Sequence, residues 1–174
     1  MHIIVQGQSM RLVGLPLKEG DRARNVRVMG NDLSPVLPLA QSHGKIRLFL
    51  TVPSVDLSPC SAVIRTFSEM LATLNGSVAS FLISADLPFA QVRWQTAADI
   101  DNITLLSDYR DMDFARNWGL LIQDLGLLAC AVFVVNSSGI VTYREIVSEL
   151  TAEPDYNTAI AALAAEITRS SASL

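Results

Sequence analysis

The chain has 174 residues, of which half are hydrophobic and 17% are charged, a composition that suits one domain with a sizeable core and argues against a disordered chain. A net charge of −4 and scattered Lys and Arg residues exclude the basic stripe that nucleic-acid binding requires. No apolar run reaches the length of a membrane-spanning helix, and residues 1–6 are too short and polar for a signal peptide. We therefore expect a single cytoplasmic domain over residues 1–174 that binds neither nucleic acid nor membrane.

The first quarter of the chain predicts an N-terminal hairpin and a buried central strand. Ile3–Val5 and Met10–Val13 flank a polar, glycine-containing turn, which is typical of a hairpin. A short strand is expected at residues 26–29, and Asn31–Pro38 is expected to be loop because it is rich in turn formers and proline. Ile46–Val52 is a continuous apolar run with one Arg, the pattern of a strand that is buried on both faces.

A helix is predicted to follow, with Ser58 as its N-cap and Pro59 at its first helical position. Cys60 then lies in the first turn, near unpaired backbone N–H groups and the positive end of the helix dipole. This environment favours the thiolate and predicts a pKa below that of a free thiol. A thiol at a strand–loop–helix junction is a candidate nucleophile, and a small buried core Cys is an equally weighted alternative. The apolar positions that predict one buried helical face are Val63, Phe67, Met70, Leu71 and Leu74.

The rest of the chain alternates strands with helices and closes with a hairpin and a last helix. This order predicts an α/β fold in which a mixed central sheet is flanked by helices, with no repeat or linker that would indicate a second domain. The remaining predicted elements are strands at Val78–Ser84, Ile103–Leu106, Ala131–Val135 and Ile140–Val147, and helices at Pro88–Trp94, Met112–Trp118 and Asp155–Thr168.

Four separated segments carry motifs that occur together, in this order, in one family. They are NDLSP at Asn31–Pro35, PSVDLSPC at Pro53–Cys60, SADLPFAQ at Ser84–Gln91 and TAEPDY at Thr151–Tyr156. The second resembles the PxxxTxxC active-site motif of the peroxiredoxins, and the set resembles their thiol peroxidase subfamily, of the atypical two-cysteine type, over nearly the whole chain. The resemblance implies a thioredoxin-like fold and a usually homodimeric enzyme that reduces hydroperoxides with a peroxidatic cysteine at Cys60.

The active-site motif is degenerate at three positions. The family's Thr falls at Leu57, its resolving cysteine at Gln95 and its active-site arginine at Cys130. Ser58, beside Leu57, could donate to a peroxide oxygen in place of the Thr, although we prefer the N-cap role for it. Pro53 would shield the thiol, as it does in the family.

In the family the active-site arginine lies against the peroxidatic sulfur, so the resemblance implies that Cys130, at that position, is a spatial neighbour of Cys60. Cys130 is therefore the internal candidate to resolve a Cys60 sulfenic acid. The two Cα atoms would have to come within about 7 Å, so an external thiol is the favoured resolving group. The candidates to supply the missing guanidinium are Arg65, Arg93, Arg110 and Arg144.

The sequence thus leads to a thiol-dependent peroxidase that is regenerated by thioredoxin or another thiol. Because His2 and His43 are isolated and there is no CxxC motif, neither a metal nor a cofactor is predicted. The rival hypothesis is a catalytically impaired homodimer that serves as a redox-sensing or binding module, and a third is a structural protein with two buried thiols. For the dimer contact we expect residues around Leu57–Ser58 and Trp94 or Trp118.

Overall fold

In the computed structural model, which describes residues 1–74 and 78–173, a seven-stranded mixed sheet lies between helices, and a four-stranded sheet packs beside it. The elements are β1 (His2–Val5), β2 (Gln8–Val13), β3 (Val28–Met29), β4 (Pro35–Val36), α1 (Pro38–Gln41), β5 (Ile46–Thr51), α2 (Ser58–Ala72), β6 (Val78–Ser84), α3 (Pro88–Ala98), β7 (Thr104–Ser107), α4 (Asp113–Trp118), β8 (Leu121–Ile122), β9 (Leu127–Leu128), β10 (Ala131–Val135), β11 (Val141–Ile146) and α5 (Tyr156–Ala172).

The large sheet has the strand order β11-β10-β5-β6-β7-β3-β4. The pairs β5–β6 and β6–β7 are parallel, and the other pairs are antiparallel. Every residue of β5 is buried, as the continuous apolar run predicts for a strand covered on both faces. The predicted α/β fold with a mixed, helix-flanked sheet is confirmed.

The two faces of β5 are lined by alternating residues. Leu48 and Leu50 belong to the apolar cluster shared with α2 and α5, whereas Phe49 belongs to the cluster shared with α4. Strand β10 alternates in the same way, with Val132 and Val134 toward α2 and α5. The first of these two clusters places α2, with Cys60 in its first turn, against the sheet.

The predicted N-terminal hairpin is confirmed as β1 and β2, and it joins β8 and β9 in the small sheet. Strands β4, β8 and β9 and helix α1 were not predicted. The first three have two residues each and α1 has four, too few to show a period in the sequence. The loop expected over Asn31–Pro38 therefore contains β4 and the first residue of α1.

The predicted helices are present, and two of them are longer than expected. Helix α3 continues to Ala98, and α5 continues to Ala172 after Asp155, whose carboxylate accepts the Thr158 amide as an N-cap. Within the described residues no helix combines the length and the apolar character needed to cross a membrane.

Candidate active site

Cys60 lies in the first turn of α2, after the loop that follows β5. Leu57 is the last residue with an extended backbone, at φ −78° and ψ 119°, and its carbonyl accepts the amide of Ser61 at 3.0 Å as the first helical hydrogen bond. The Cys60 side chain points inward and is 1% exposed, as part of the cluster between α2 and the sheet. The predicted position of the thiol at a strand–loop–helix junction is therefore confirmed.

The prediction that Ser58 caps α2 is wrong. Ser58 is the first helical residue, Pro59 is the second, and the cap position belongs to Leu57, whose side chain makes no capping hydrogen bond. The reason is the backbone, because the chain changes from extended to helical geometry one residue earlier than the Ser-Pro pair suggests. Ser58 is exposed, whereas Cys60 is buried, so its hydroxyl and the thiol face different surroundings in this state.

The loop before α2 is anchored by the carboxylate of Asp86, which follows β6. The Ser54 hydroxyl donates to Asp86 Oδ1 at 2.6 Å, and the Val55 amide donates to Oδ2 at 2.8 Å. The Ser84 hydroxyl donates to the same Oδ2 at 2.6 Å. Hydrogen bonds to a carboxylate are stronger than those between neutral groups, so this side chain fixes the loop that holds the buried Pro53 and leads to Cys60.

Two further side chains hold this anchor in place. The fully buried Gln91 donates from Nε2 to Ser84 Oγ at 2.9 Å and to the Leu106 carbonyl at 2.8 Å, which ties α3 to β6 and β7. The Ser107 hydroxyl donates to the backbone carbonyl of Asp86. The segment Ser84–Gln91 therefore supports the nucleophile loop.

The role of Asp86 was missed by the sequence analysis, which found no chemistry in that segment. A signal was present, since β5 and β6 are successive apolar runs, and Ser54 and Asp86 follow them within three residues. In a parallel pair the carboxyl ends of both strands meet at one edge of the sheet, as they do here in the pairing of Thr51 with Ile83. Polar residues after both strands could have been expected to contact each other.

The thiol of Cys60 is protonated in this state. Burial raises its pKa to about 11, and the negative charge of Asp86 acts in the same direction. Hydrogen bonding from the backbone of Ser54 and of Cys60 itself opposes the rise without cancelling it. The expected low pKa is therefore wrong for the state that the structure shows, which we call the closed state because the thiol is shut off from solvent. The desolvation of the thiolate outweighs the favourable helix terminus.

Cys130 immediately precedes β10 on the same side of the sheet as Cys60. The strand register pairs Ala131 with Thr51, so Cys130 lies beside the end of β5, and it belongs to the cluster that contains Cys60. Burial raises the pKa of Cys130 to about 12, and the nearby Cys60 and Glu145 contribute to the rise. Their shared cluster and the effect of Cys60 on the Cys130 pKa support the expectation that the two cysteines are neighbours. Neither cysteine is in a disulfide.

Gln95, at the position of the family's resolving cysteine, closes the end of α3. Its Nε2 donates to the carbonyls of Ile100 and Ile103, both at 3.0 Å. Leu57, at the position of the motif Thr, is half-buried and packs against the same cluster as Cys60. Both replacements therefore act as packing or turn-closing groups.

The four candidate arginines are engaged away from the thiol. None of them is among the groups that shift the Cys60 pKa within the described chain. Arg65 lies over the Trp94 ring at 5.7 Å from its centroid, Arg93 pairs with Asp56 at 3.5 Å, and Arg110 pairs with Asp111 at 3.9 Å. Arg144 Nη2 donates to Met1 Sδ at 3.8 Å.

The two tryptophans have different environments. Trp118 is fully buried between Phe49, Phe114 and Phe133, so the expectation that it contributes to a dimer contact is wrong. Trp94 is half-buried, and its Nε1 donates to Ser61 Oγ at 3.2 Å, which joins α3 to the first turns of α2.

Comparison with known proteins gives consistent results. The Redoxin family model matches residues 18–160. A thiol peroxidase from Halalkalibacterium halodurans is 47% identical over 165 residues, which cover 95% of this chain and 98% of that protein. Among solved structures, a peroxiredoxin-like protein from Aquifex aeolicus is 34% identical, with a TM-score of 0.86 over 94% of this chain and 96% of its own. A thiol peroxidase from Chromobacterium violaceum is 20% identical and has the same fold, with a TM-score of 0.87 over 98% of both chains.

Proposed function

This chain belongs to the Redoxin family and is a thiol-dependent peroxidase of the peroxiredoxin type. We propose that Cys60 is the residue that reduces the hydroperoxide. The observation that carries the proposal is the position of Cys60 in the first turn of α2, behind a loop that Asp86 anchors. Backbone hydrogen bonds from Ser54 in that loop and from Cys60 itself favour the thiolate.

The reaction begins with attack of the Cys60 thiolate on one peroxide oxygen. The O–O bond breaks, the sulfur becomes a sulfenic acid, and the alkoxide or hydroxide that leaves takes a proton from water. Two thiols then supply the two electrons that return the enzyme to its reduced form, and one molecule of water is released.

Because burial raises the Cys60 pKa to about 11, nearly all of the thiol is protonated at pH 7 in the closed state. A thiol that is 1% exposed is also closed to a peroxide molecule. The reaction therefore proceeds from a locally opened state, in which the loop and the first turn of α2 admit water and the desolvation is relieved. Pro53 shields the thiol while the loop is closed, and in the opened state Ser58 is a candidate donor to the peroxide.

An external thiol, such as that of thioredoxin, resolves the sulfenic acid. Gln95 has no sulfur, and Cys130 is the single other thiol of the chain. Cys130 is 3% exposed, and its carbonyl accepts the Val147 amide at 2.9 Å, so the backbone at this end of β10 is held in place. A disulfide would require the first turn of α2 to unwind toward it, which makes Cys130 the second candidate.

The protein acts as a homodimer of single-domain chains in the cytoplasm. Support for one domain comes from two apolar clusters on opposite faces of a single sheet. Support for the dimer comes from large apolar side chains that are exposed at the start of α3 and just before it, namely Leu87 at 50%, Phe89 at 65% and Val92 at 40%. Unbridged cysteines suit a reducing compartment.

Peroxide consumption with thioredoxin or dithiothreitol as the reductant tests the proposal. Cys60→Ser is expected to reduce the rate to the background of the reductant alone, whereas Cys130→Ser is expected to retain activity because an external thiol resolves the sulfenic acid. Unchanged consumption by Cys60→Ser would contradict the assignment of Cys60. After one equivalent of peroxide, non-reducing peptide mapping that recovers a Cys60–Cys130 cross-linked peptide would make Cys130 the resolving residue.

A further inference from the structure

At the other end of β5 from the nucleophile loop, the guanidinium of Arg47 is buried. Arg47 is 3% exposed and shares a strand face with Phe49 two residues further on. Its Nε donates to Ser42 Oγ at 2.9 Å, and Nη2 donates to the carbonyls of Leu39 and Ser42 at 3.1 and 2.6 Å. Nη1 donates to the Asn136 carbonyl at 3.0 Å, which leaves one Nη1 hydrogen without an acceptor in the described chain.

All four acceptors are neutral, and within the described residues no carboxylate pairs with Arg47. Burial lowers the pKa of this guanidinium, but an arginine stays charged at physiological pH. A buried charge without a counter-ion is costly, and dipoles of carbonyls and hydroxyls offset only part of that cost. Arg47 thus leaves positive charge uncompensated at this end of the sheet.

Arg47 lines a surface pocket of about 360 Å³ that has no acidic residue in its wall. Arg22 and His43 line the same pocket, together with the polar side chains of Asn25 and Ser138. The exposed Arg22 is positioned by a hydrogen bond from Nη1 to the Ser138 carbonyl at 3.1 Å. Two guanidinium groups and an imidazole therefore line one polar cavity, and one of the guanidinium groups is buried.

We infer that this pocket binds a phosphate group, either as free phosphate or as a small phosphate monoester. The guanidinium of Arg22 has N–H donors left over from its bond to Ser138 that match phosphate oxygens, and the polar wall supplies further donors. The buried Arg47 adds its positive charge and its one remaining N–H. The five residue steps from Arg47 to Val52 span roughly 16 Å, so the pocket is separate from the thiol site and does not depend on the proposed peroxidase chemistry.

Thermal unfolding in inorganic phosphate tests the inference, with sodium chloride at matched ionic strength as the reference. A ligand that binds only the folded state raises the midpoint in a saturable manner. We expect such a rise with phosphate and none with chloride. Glycerol phosphate in a parallel titration distinguishes the sources, since tighter binding of the monoester than of free phosphate identifies an ester as the ligand.

Arg22→Gln probes the pocket without altering the buried Arg47, whose replacement could prevent folding. Arg11→Gln is the matched control, since Arg11 is an exposed arginine of β2 and does not line the pocket. We expect Arg22→Gln to weaken the apparent affinity for phosphate roughly tenfold, the loss of about one charge-assisted hydrogen bond, and Arg11→Gln to leave it unchanged. A phosphate response that does not saturate, or one that both variants change equally, would overturn the inference.

Discussion

Replacing Asp86 by Ala removes the anchor of the nucleophile loop. The carboxylate accepts hydrogen bonds from Ser54 Oγ, Val55 N and Ser84 Oγ at 2.6, 2.8 and 2.6 Å, and in Asp86→Ala all three donors lose this acceptor. A hydrogen bond to a charged group contributes about 1.5 kcal/mol at the low end of the usual range, which suits a half-buried carboxylate. We therefore expect the free energy of unfolding to fall by roughly 3–5 kcal/mol.

Asp86→Asn separates this scaffold role from the effect of the charge. The amide oxygen can accept from Val55 N and Ser84 Oγ, and the amide nitrogen can then donate to the Ser54 hydroxyl, which turns to accept. Three neutral hydrogen bonds replace three charge-assisted ones, at a cost of roughly 1–2 kcal/mol. Because the Asp86 charge raises the pKa of Cys60, its removal is expected to lower that pKa.

Urea unfolding measures the stability changes, and the rate of alkylation against pH measures the titration of Cys60 in a Cys130→Ser background. Asp56→Asn is the control, because Asp56 is an exposed carboxylate in the same loop that pairs with Arg93. It should change stability by no more than about 0.5 kcal/mol. If Asp86→Ala is as stable as this control, or if Asp86→Asn leaves the alkylation midpoint where it is, the anchoring and charge arguments for Asp86 are wrong.

Three further predictions concern stability and assembly. In a Cys130→Ser background, which removes the second buried thiol, the free energy of unfolding should fall between about pH 9 and 11, because the unfolded Cys60 thiol ionises near 9.0 while the folded one keeps its proton up to about 11. Adding Cys60→Ser should flatten this fall in urea titrations. Gly119→Ala should cost roughly 3 kcal/mol or more, because φ is +71° and the new Cβ would lie 2.5 Å from Pro16 Cα. The control Gly126→Ala, with φ +62° and open space, should cost only about 1 kcal/mol, and equal losses would refute the steric argument. Phe89→Glu should convert a dimer with twice the 18.9 kDa chain mass into a monomer in sedimentation, and a wild-type monomer would contradict the dimer.

The sequence alone determined two kinds of element: strands that are buried on both faces, and long helices that have one apolar face. Strands Val78–Ser84 and Ala131–Val135 were predicted with the bounds that the structure has, because a central strand is a continuous apolar run with clear ends. The three- and four-residue spacing correctly predicted Val63, Phe67 and Leu71 on the buried face of α2, but Ile64 is buried there and Met70 is not. The place of Cys60 in the first turn followed from the Ser-Pro pair that precedes it. These features depend on local periodicity, which a single sequence carries.

The tertiary structure decided what surrounds the thiol. Whether Cys60 is acidic depends on how much water reaches it, and its burial against the sheet reversed the effect expected from the helix terminus. The anchoring by Asp86 required two strand ends to meet, and the burial of Trp118 required two aromatic neighbours, Phe49 and Phe133, from distant parts of the chain. The environment of the Arg47 guanidinium also depends on tertiary structure, because one of its acceptors is the carbonyl of Asn136, in a turn that is distant in sequence. Each depends on partners far apart in sequence, which local periodicity does not specify.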